Sequence, residues 1–351
     1  MKPSTMLVAF VATNAVAYPG MDRVLKEIEI RNGDIEQRST ELLGDVAGGS
    51  LSAVGQTIKS ILQGMASAVA DLNTYKTPGR LGSDSCDRDQ CCVWKYIADD
   101  MSQAFTDSKG CSSLARGAIR LGFHDAATWD KHSSHGGADG SILLSDEISR
   151  FENRGLEEIA AQMKKWFDKY KKYKVGMADL IQMGATVATV SCPGGPRIKT
   201  YVGRKDESRA GPTGMLPSPL QSAQALIDLF QAKTFTASDL VTLVGAHTVS
   251  RQNFVDPDRK NAPQDSTPGV WDNKFYSQTL GNDNSSILIF PSDKKLATFS
   301  QTEGQWKAFA GNGGQQQWSA AFAQSYFRMS MLGVKNMNSL TDCTKVLPQG
   351  K

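Results

Sequence analysis

The chain has 351 residues and a formal net charge of +3, room for one large domain or two modest ones with nearly balanced charge. No long basic run interleaved with aromatics is present, so nucleic acid is not an expected partner. An apolar fraction of 40%, with six Trp, supports a sizeable core.

The first residues, Met1-Lys-Pro-Ser-Thr-Met-Leu-Val-Ala-Phe-Val-Ala, give a basic start and a short apolar run, and Ala15-Val-Ala17 supplies small residues at cleavage positions. Residues 1–17 therefore read as a secretory signal, with an extracellular destination. The apolar run is too short to span a bilayer and no later segment is long enough, so no membrane association is expected. Residues 19–74 contain neither an aromatic residue nor a cysteine, whereas every Trp and Cys lies beyond Gly82. That change marks residues 18–80 as an N-terminal extension or pro-segment, with an Ala/Ser-rich helix candidate at 52–72 and a linker at 77–82. Residues 81–351 are the expected main domain.

Apolar residues at helical spacing predict helices over 93–107, 113–126, 155–170, 177–190, 220–231, 238–250 and 316–332. Alternating strand patterns are few and short, so the expected fold class is mainly α. The connections 127–151, 192–219 and 251–271 are rich in Gly, Pro, Asp and Ser, and loops of that length in a compact domain usually carry function. Cys86, Cys91, Cys92, Cys111, Cys192 and Cys343 make an even number for an oxidising compartment. They predict three disulfides, with 15 pairings open. Asn284-Ser-Ser286 is a glycosylation sequon.

Within 113–126, Arg120 and His124 are four residues apart, on one face of the predicted helix. By itself such a pair is more often a solvated or satisfied one. A proton carrier beside a fixed positive charge is also what splitting a peroxide O–O bond requires. His247 ends the stretch Thr236-Ala-Ser-Asp-Leu-Val-Thr-Leu-Val-Gly-Ala-His247, where Thr236 and Asp239 form a capping-box pattern. Leu240, Leu243 and Val244 share its helical face, surroundings that suit a satisfied core histidine or an axial haem ligand. An oxygen-rich loop follows each histidine. Asp125 and Gly136-Gly-Ala-Asp-Gly-Ser141 come after the first, and Thr248 and Asp265-Ser-Thr-Pro-Gly-Val-Trp-Asp272 after the second. Carboxylates, hydroxyls and turn carbonyls suit Ca²⁺, although most such clusters are plain turns.

Taken together and in this order, the motifs resemble those of secreted fungal haem peroxidases, class II of the plant peroxidase superfamily, over about residues 83–348. The resemblance implies two helical subdomains sandwiching haem b, with a distal half at about 86–200, a proximal half at about 210–345, and two Ca²⁺ ions. Arg120, Phe123, His124 and Asp125 fall on the family's distal helix, and Asn153 on its distal asparagine. His247 falls on the proximal iron ligand and Asp293 on that ligand's carboxylate partner. The distal calcium pattern falls on Asp125, Gly137, Asp139 and Ser141; the proximal one falls on Thr248, Asp265, Thr267, Val270 (through its carbonyl) and Asp272. The implied disulfides are Cys86–Cys92, Cys91–Cys343 and Cys111–Cys192.

By the same resemblance, His124 takes a proton from hydrogen peroxide and returns it to the leaving oxygen. Asn153 fixes the His124 tautomer, and Arg120 stabilises charge on the departing oxygen. Asp293 gives the His247 imidazole anionic character. The chain departs from the family at several positions. Where manganese-oxidising members place three carboxylates, it has Ser113, Gly117 and Asn253, so no Mn²⁺ site is expected. The surface Trp of high-potential members falls on Thr242, and the aromatic ring usual before the proximal calcium Asp is Gln264. The expected protein is a monomeric peroxidase oxidising small phenolic or dye-like donors in two one-electron steps. Alternatives are a ligninolytic peroxidase with a surface radical elsewhere on the chain, or a non-catalytic calcium-braced scaffold.

Overall fold

The computed structural model describes residues 40–281 and 286–350; the expected signal 1–17, residues 18–39 and Asn284 of the sequon lie outside them. Helices dominate. The α-helices of seven or more residues are, in chain order, α1 (Ala53–Leu62), α2 (Gln90–Ala104), α3 (Ser113–Ala126), α4 (Glu157–Tyr170), α5 (Met177–Ser191), α6 (Ala223–Ala232), α7 (Ala237–Val244), α8 (Lys274–Leu280), α9 (Pro291–Thr298), α10 (Glu303–Ala310) and α11 (Gly314–Met329). The described strands are two residues long and antiparallel: Thr106–Asp107 with Gly110–Cys111, Tyr201–Val202 with Thr341–Asp342, and Arg251–Gln252 with Ala262–Pro263. The mainly α expectation holds.

α3 begins where the Ser112 hydroxyl accepts the Ala115 N–H at 3.3 Å, a side-chain cap on an otherwise unpaired donor. Its apolar face packs on α5, every residue of which is buried. The approach is close enough to require glycine at 122, because a Cβ there would stand 2.7 Å from Ala185 Cβ and 2.3 Å from the Tyr326 hydroxyl. The Gln182 amide donates to Gly122 O and accepts from Tyr326 Oη, both at 3.1 Å, joining α3, α5 and α11. α11 also reaches the other histidine's segment, since Trp318 Nε1 donates to Thr242 O of α7 at 3.0 Å. One helix thus braces both segments that carry the histidines of interest.

The helix expected over 238–250 ends early, at Val244, and Gly245–Val249 is a 3-10 turn. The cause is local. Tyr276 Oη and Trp318 Nε1 donate to the carbonyls of Val241 and Thr242, and a Cβ at Gly245 would lie 2.3 and 2.5 Å from those same atoms. Two side chains take the carbonyls that a continuing helix would use, so His247 does not extend the Leu240–Leu243–Val244 face.

The described part of the segment read as an extension, residues 40–80, belongs to the unit Arg38–Lys351. Residues 19–74 have no aromatics, yet Leu42, Val46, Ile58, Ile61 and Leu62 are buried in the common core. Their backbone also serves two buried arginines: Arg328 Nη1 donates to Leu62 O at 3.0 Å, and Arg197 donates to Asp71 O and, at 2.9 Å, to Asn73 O. The helix expected over 52–72 is shorter, Ala53–Leu62. The disulfides are Cys86–Cys92, Cys91–Cys343 and Cys111–Cys192, as the resemblance implied.

Candidate active site

Near the C-terminal end of α3, His124 is buried and its Nδ1 lies 2.7 Å from Asn153 Oδ1. The Asn153 amide is oriented by its own donation to Glu147 O at 2.7 Å, so its oxygen must face the ring. Nδ1 therefore carries the imidazole proton. Nε2 is left as an acceptor, taking the Arg120 Nε–H at 3.1 Å. Burial, and after it the Arg120 charge, push the His124 pKa down to about 3, so the ring is neutral at ordinary pH. Arg120 is held by the carbonyls of Arg154 at 2.8 Å and Glu152 at 3.1 Å, and burial lowers its own pKa to about 10. It stays charged. Phe123 stands edge-on to His124 and stacks on Phe230 of α6.

The 3-10 turn after α7 presents His247, whose Nδ1 lies 3.0 Å from Asp293 Oδ2 at the start of α9. Phe275 and Phe290 meet the ring edge-on. Nε2 has no partner among the described residues, and the side chain is 32% exposed. An imidazole anchored through one nitrogen and open at the other, between aromatic walls, fits the ligand of a haem iron. The chain just after His247 returns to the first site: a Cβ at Gly155 would meet Phe254 Cε2 at 3.0 Å and Arg120 Nη1 at 3.3 Å. There the Arg154 guanidinium lies over Phe151 at 3.4 Å and Phe254 at 4.7 Å, and both rings are exposed. Sequence reasoning missed this exposed aromatic–cation cluster, because its three residues come from two distant loops.

The predicted calcium ligands also gather. Asp125 accepts from Gly140 N at 3.1 Å and Ile142 N at 3.4 Å, and its pKa is raised by burial and by Asp139 beside it. Asp139 is pushed up to about 6, mainly by burial. The Ser141 hydroxyl is buried with no hydrogen-bond partner among the described residues, and Gly137 takes a backbone φ of 115° that favours glycine. On the other side Thr248 Oγ1 donates to Asp265, and Thr267 Oγ1 donates to Asp272 at 2.8 Å. Burial raises Asp265 to about 6, and the Val270 carbonyl faces its own turn, accepting from Asp272 N at 3.1 Å. Among the described residues no three His, Cys, Asp or Glu side chains converge. A cation at either loop would therefore lean on hydroxyl and carbonyl oxygens, which fits Ca²⁺ chemistry.

A family model described as Peroxidase matches residues 97–312. The chain belongs to the peroxidase family. Relatives of this peroxidase include ligninase LG5 of Phanerodontia chrysosporium, 32% identical over 74% of this chain and 75% of its own length. Ligninase B of the same fungus is 30% identical over 82% of this chain and 81% of its own, and ligninase C of Trametes versicolor is 30% identical over 74% and 75%. The protein is a haem peroxidase of the fungal class II type, an oxidoreductase that uses hydrogen peroxide to oxidise aromatic donors. Some of its positions differ from the sequence expectation. Thr242, placed by resemblance at a surface Trp, is buried here, its carbonyl taken by Trp318. All six Trp of this peroxidase are buried, none more than 8% exposed.

Proposed function

We propose that His124, Arg120 and Asn153 perform the peroxide chemistry and that His247, oriented by Asp293, holds the haem. Bound haem supplies the electrons that reduce peroxide and takes them back from donors, one at a time. His124 Nε2, kept neutral by burial, takes a proton from hydrogen peroxide and delivers it to the leaving oxygen, as base and then acid. Asn153 keeps that nitrogen unprotonated. Arg120 stabilises the negative charge on the departing oxygen from a water-poor site, its Nε–H turning from His124 to that oxygen. The observation that carries this reading is the pair of hydrogen bonds fixing the His124 tautomer.

Donors of the phenolic and dye-like class would approach at the Phe151–Arg154–Phe254 mouth, which abuts Arg120. The relatives are named as ligninases, but a route through a surface Trp has no support in a chain whose six Trp are buried. Two Ca²⁺ ions would sit among Asp125, Gly137, Asp139 and Ser141, and among Thr248, Asp265, Thr267, Val270 and Asp272. The unpartnered Ser141 hydroxyl and the raised carboxylates support that assignment. Secretion rests on the reading of residues 1–17 as a signal; among the described residues no helix is long and apolar enough to cross a membrane. The test is a Soret band in purified protein supplied with haem, and its loss in His247→Ala. A band unchanged by that substitution would remove His247 from the site.

A further inference from the structure

Behind His247 the family's usual aromatic ring is replaced by an amide, Gln264, and the structure gives that amide a partner that an aromatic hydrocarbon could not have. Gln264 Nε2 lies 3.3 Å from Asp293 Oδ2, the same oxygen that His247 Nδ1 reaches at 3.0 Å, and 3.4 Å from Nδ1 itself; with Nδ1 donating to that oxygen, the carboxylate is the acceptor for the amide. Gln264 and Asp293 are each only 1% exposed. The amide's orientation is determined: its Oε1 accepts the Ser250 hydroxyl, and a flipped amide would set an oxygen against the carboxylate. The hairpin Arg251–Gln252/Ala262–Pro263, with Gln264 N donating to Ser250 O at 3.3 Å, fixes both residues in register.

We propose that Gln264 is a positioning residue that tunes His247 as the residue that would hold the haem iron, by competing with it for the Asp293 carboxylate. The proposal rests on the reading of His247 as the haem ligand. A buried carboxylate oxygen that accepts two N–H groups is less basic than one that accepts a single N–H. It therefore draws less on the imidazole proton. His247 keeps less anionic character, and the ferric state is stabilised less relative to the ferrous state. Ser250 acts one step further out, holding the amide so that its N–H side faces Asp293.

The measurement is made on the haem-loaded protein. Gln264→Met keeps the volume and removes the donor. The expected result is a shift of the Fe(III)/Fe(II) potential to more negative values, with a higher iron–imidazole stretching frequency in the ferrous state. Both shifts should vanish in an Asp293→Asn background, since the effect travels through that carboxylate. Ser250→Ala should move both readouts in the same direction by less, and it decides the matter if Gln264→Met fails to take up haem. An unmoved potential in a variant with a parent-like Soret band would overturn the proposal and leave His247 in place. An equal shift in the Asp293→Asn background would do the same. A parent protein without a Soret band would instead remove the haem-ligand reading itself.

Discussion

In one cluster an imidazole donates through Nδ1 to a neutral amide, His124 to Asn153 at 2.7 Å; in the other an imidazole donates through Nδ1 to a carboxylate, His247 to Asp293 at 3.0 Å. The acceptor's charge separates the two roles. A neutral acceptor fixes the tautomer without making imidazolium easier to form, so His124 can accept and release a proton. An anionic acceptor raises the electron density at the far nitrogen, which suits a permanent bond to a metal. The surroundings reinforce the division. A cation, Arg120, stands against His124, while aromatic edges and an amide surround His247 and its partner.

The largest expected effect comes from deleting the transferable nitrogen. His124→Leu should slow the reaction with hydrogen peroxide by about 100- to 10,000-fold with the Soret band retained, read by stopped-flow absorbance. A rate near the parent's would place the base elsewhere. Exchanging the acceptors is the next test: Asn153→Asp gives His124 an anionic partner, which favours imidazolium and raises its pKa from about 3. Protonated His124 cannot act as base, so the acidic limb of the rate profile should move to higher pH. At pH 5 the variant should then be slower by up to about tenfold. A superimposable profile would mean that Asn153 does not control the titration.

The two oxygen-rich loops allow a smaller test that applies to both sides at once. Asp139 and Asp265 titrate near 6 without a cation, above the ordinary carboxylate value, so the cation-free native state holds extra protons and loses stability as pH rises through about 6. A bound cation replaces those protons. Chelation should therefore lower the melting temperature more at pH 8 than at pH 5, and an equal drop at both would argue against these carboxylates as ligands. The smallest effect belongs to the mouth. Arg154→Gln should raise KM for carboxylated aromatic donors by about fivefold at most, because an exposed ion pair is worth roughly 0.2–1 kcal/mol. Neutral donors should be unaffected in the same assay.

Elements with a clean apolar stripe were legible in the sequence. α3 was predicted over 113–126 and runs over Ser113–Ala126, and the Thr236–Asp239 capping box opens α7. α8, α9 and α10 were not predicted. They have seven or eight residues, and α9 buries little beyond Leu296 and Ala297 apart from its polar residues. Their packing depends on neighbours that a local pattern does not contain. The same holds in the site. Arg120, His124, His247 and their partners come from motifs, and the structure brings each group together. Gln264 could be read only as a departure, because its importance lies in which way its amide points. The 3-10 turn at His247 depends on donors from Tyr276 and Trp318, 29 and 71 residues further along the chain.

The carbonyls that residues 62, 71 and 73 offer to Arg328 and Arg197 have a practical consequence for where the polypeptide can be shortened. A version beginning at residue 81 would leave both guanidinium groups short of acceptors in the interior and would expose the aliphatic surface that Ile58 and Ile61 now cover. Leu42, Leu43 and Val46 are buried in the same core, so any maturation cut, or any expression boundary meant to yield sound protein, should fall ahead of them.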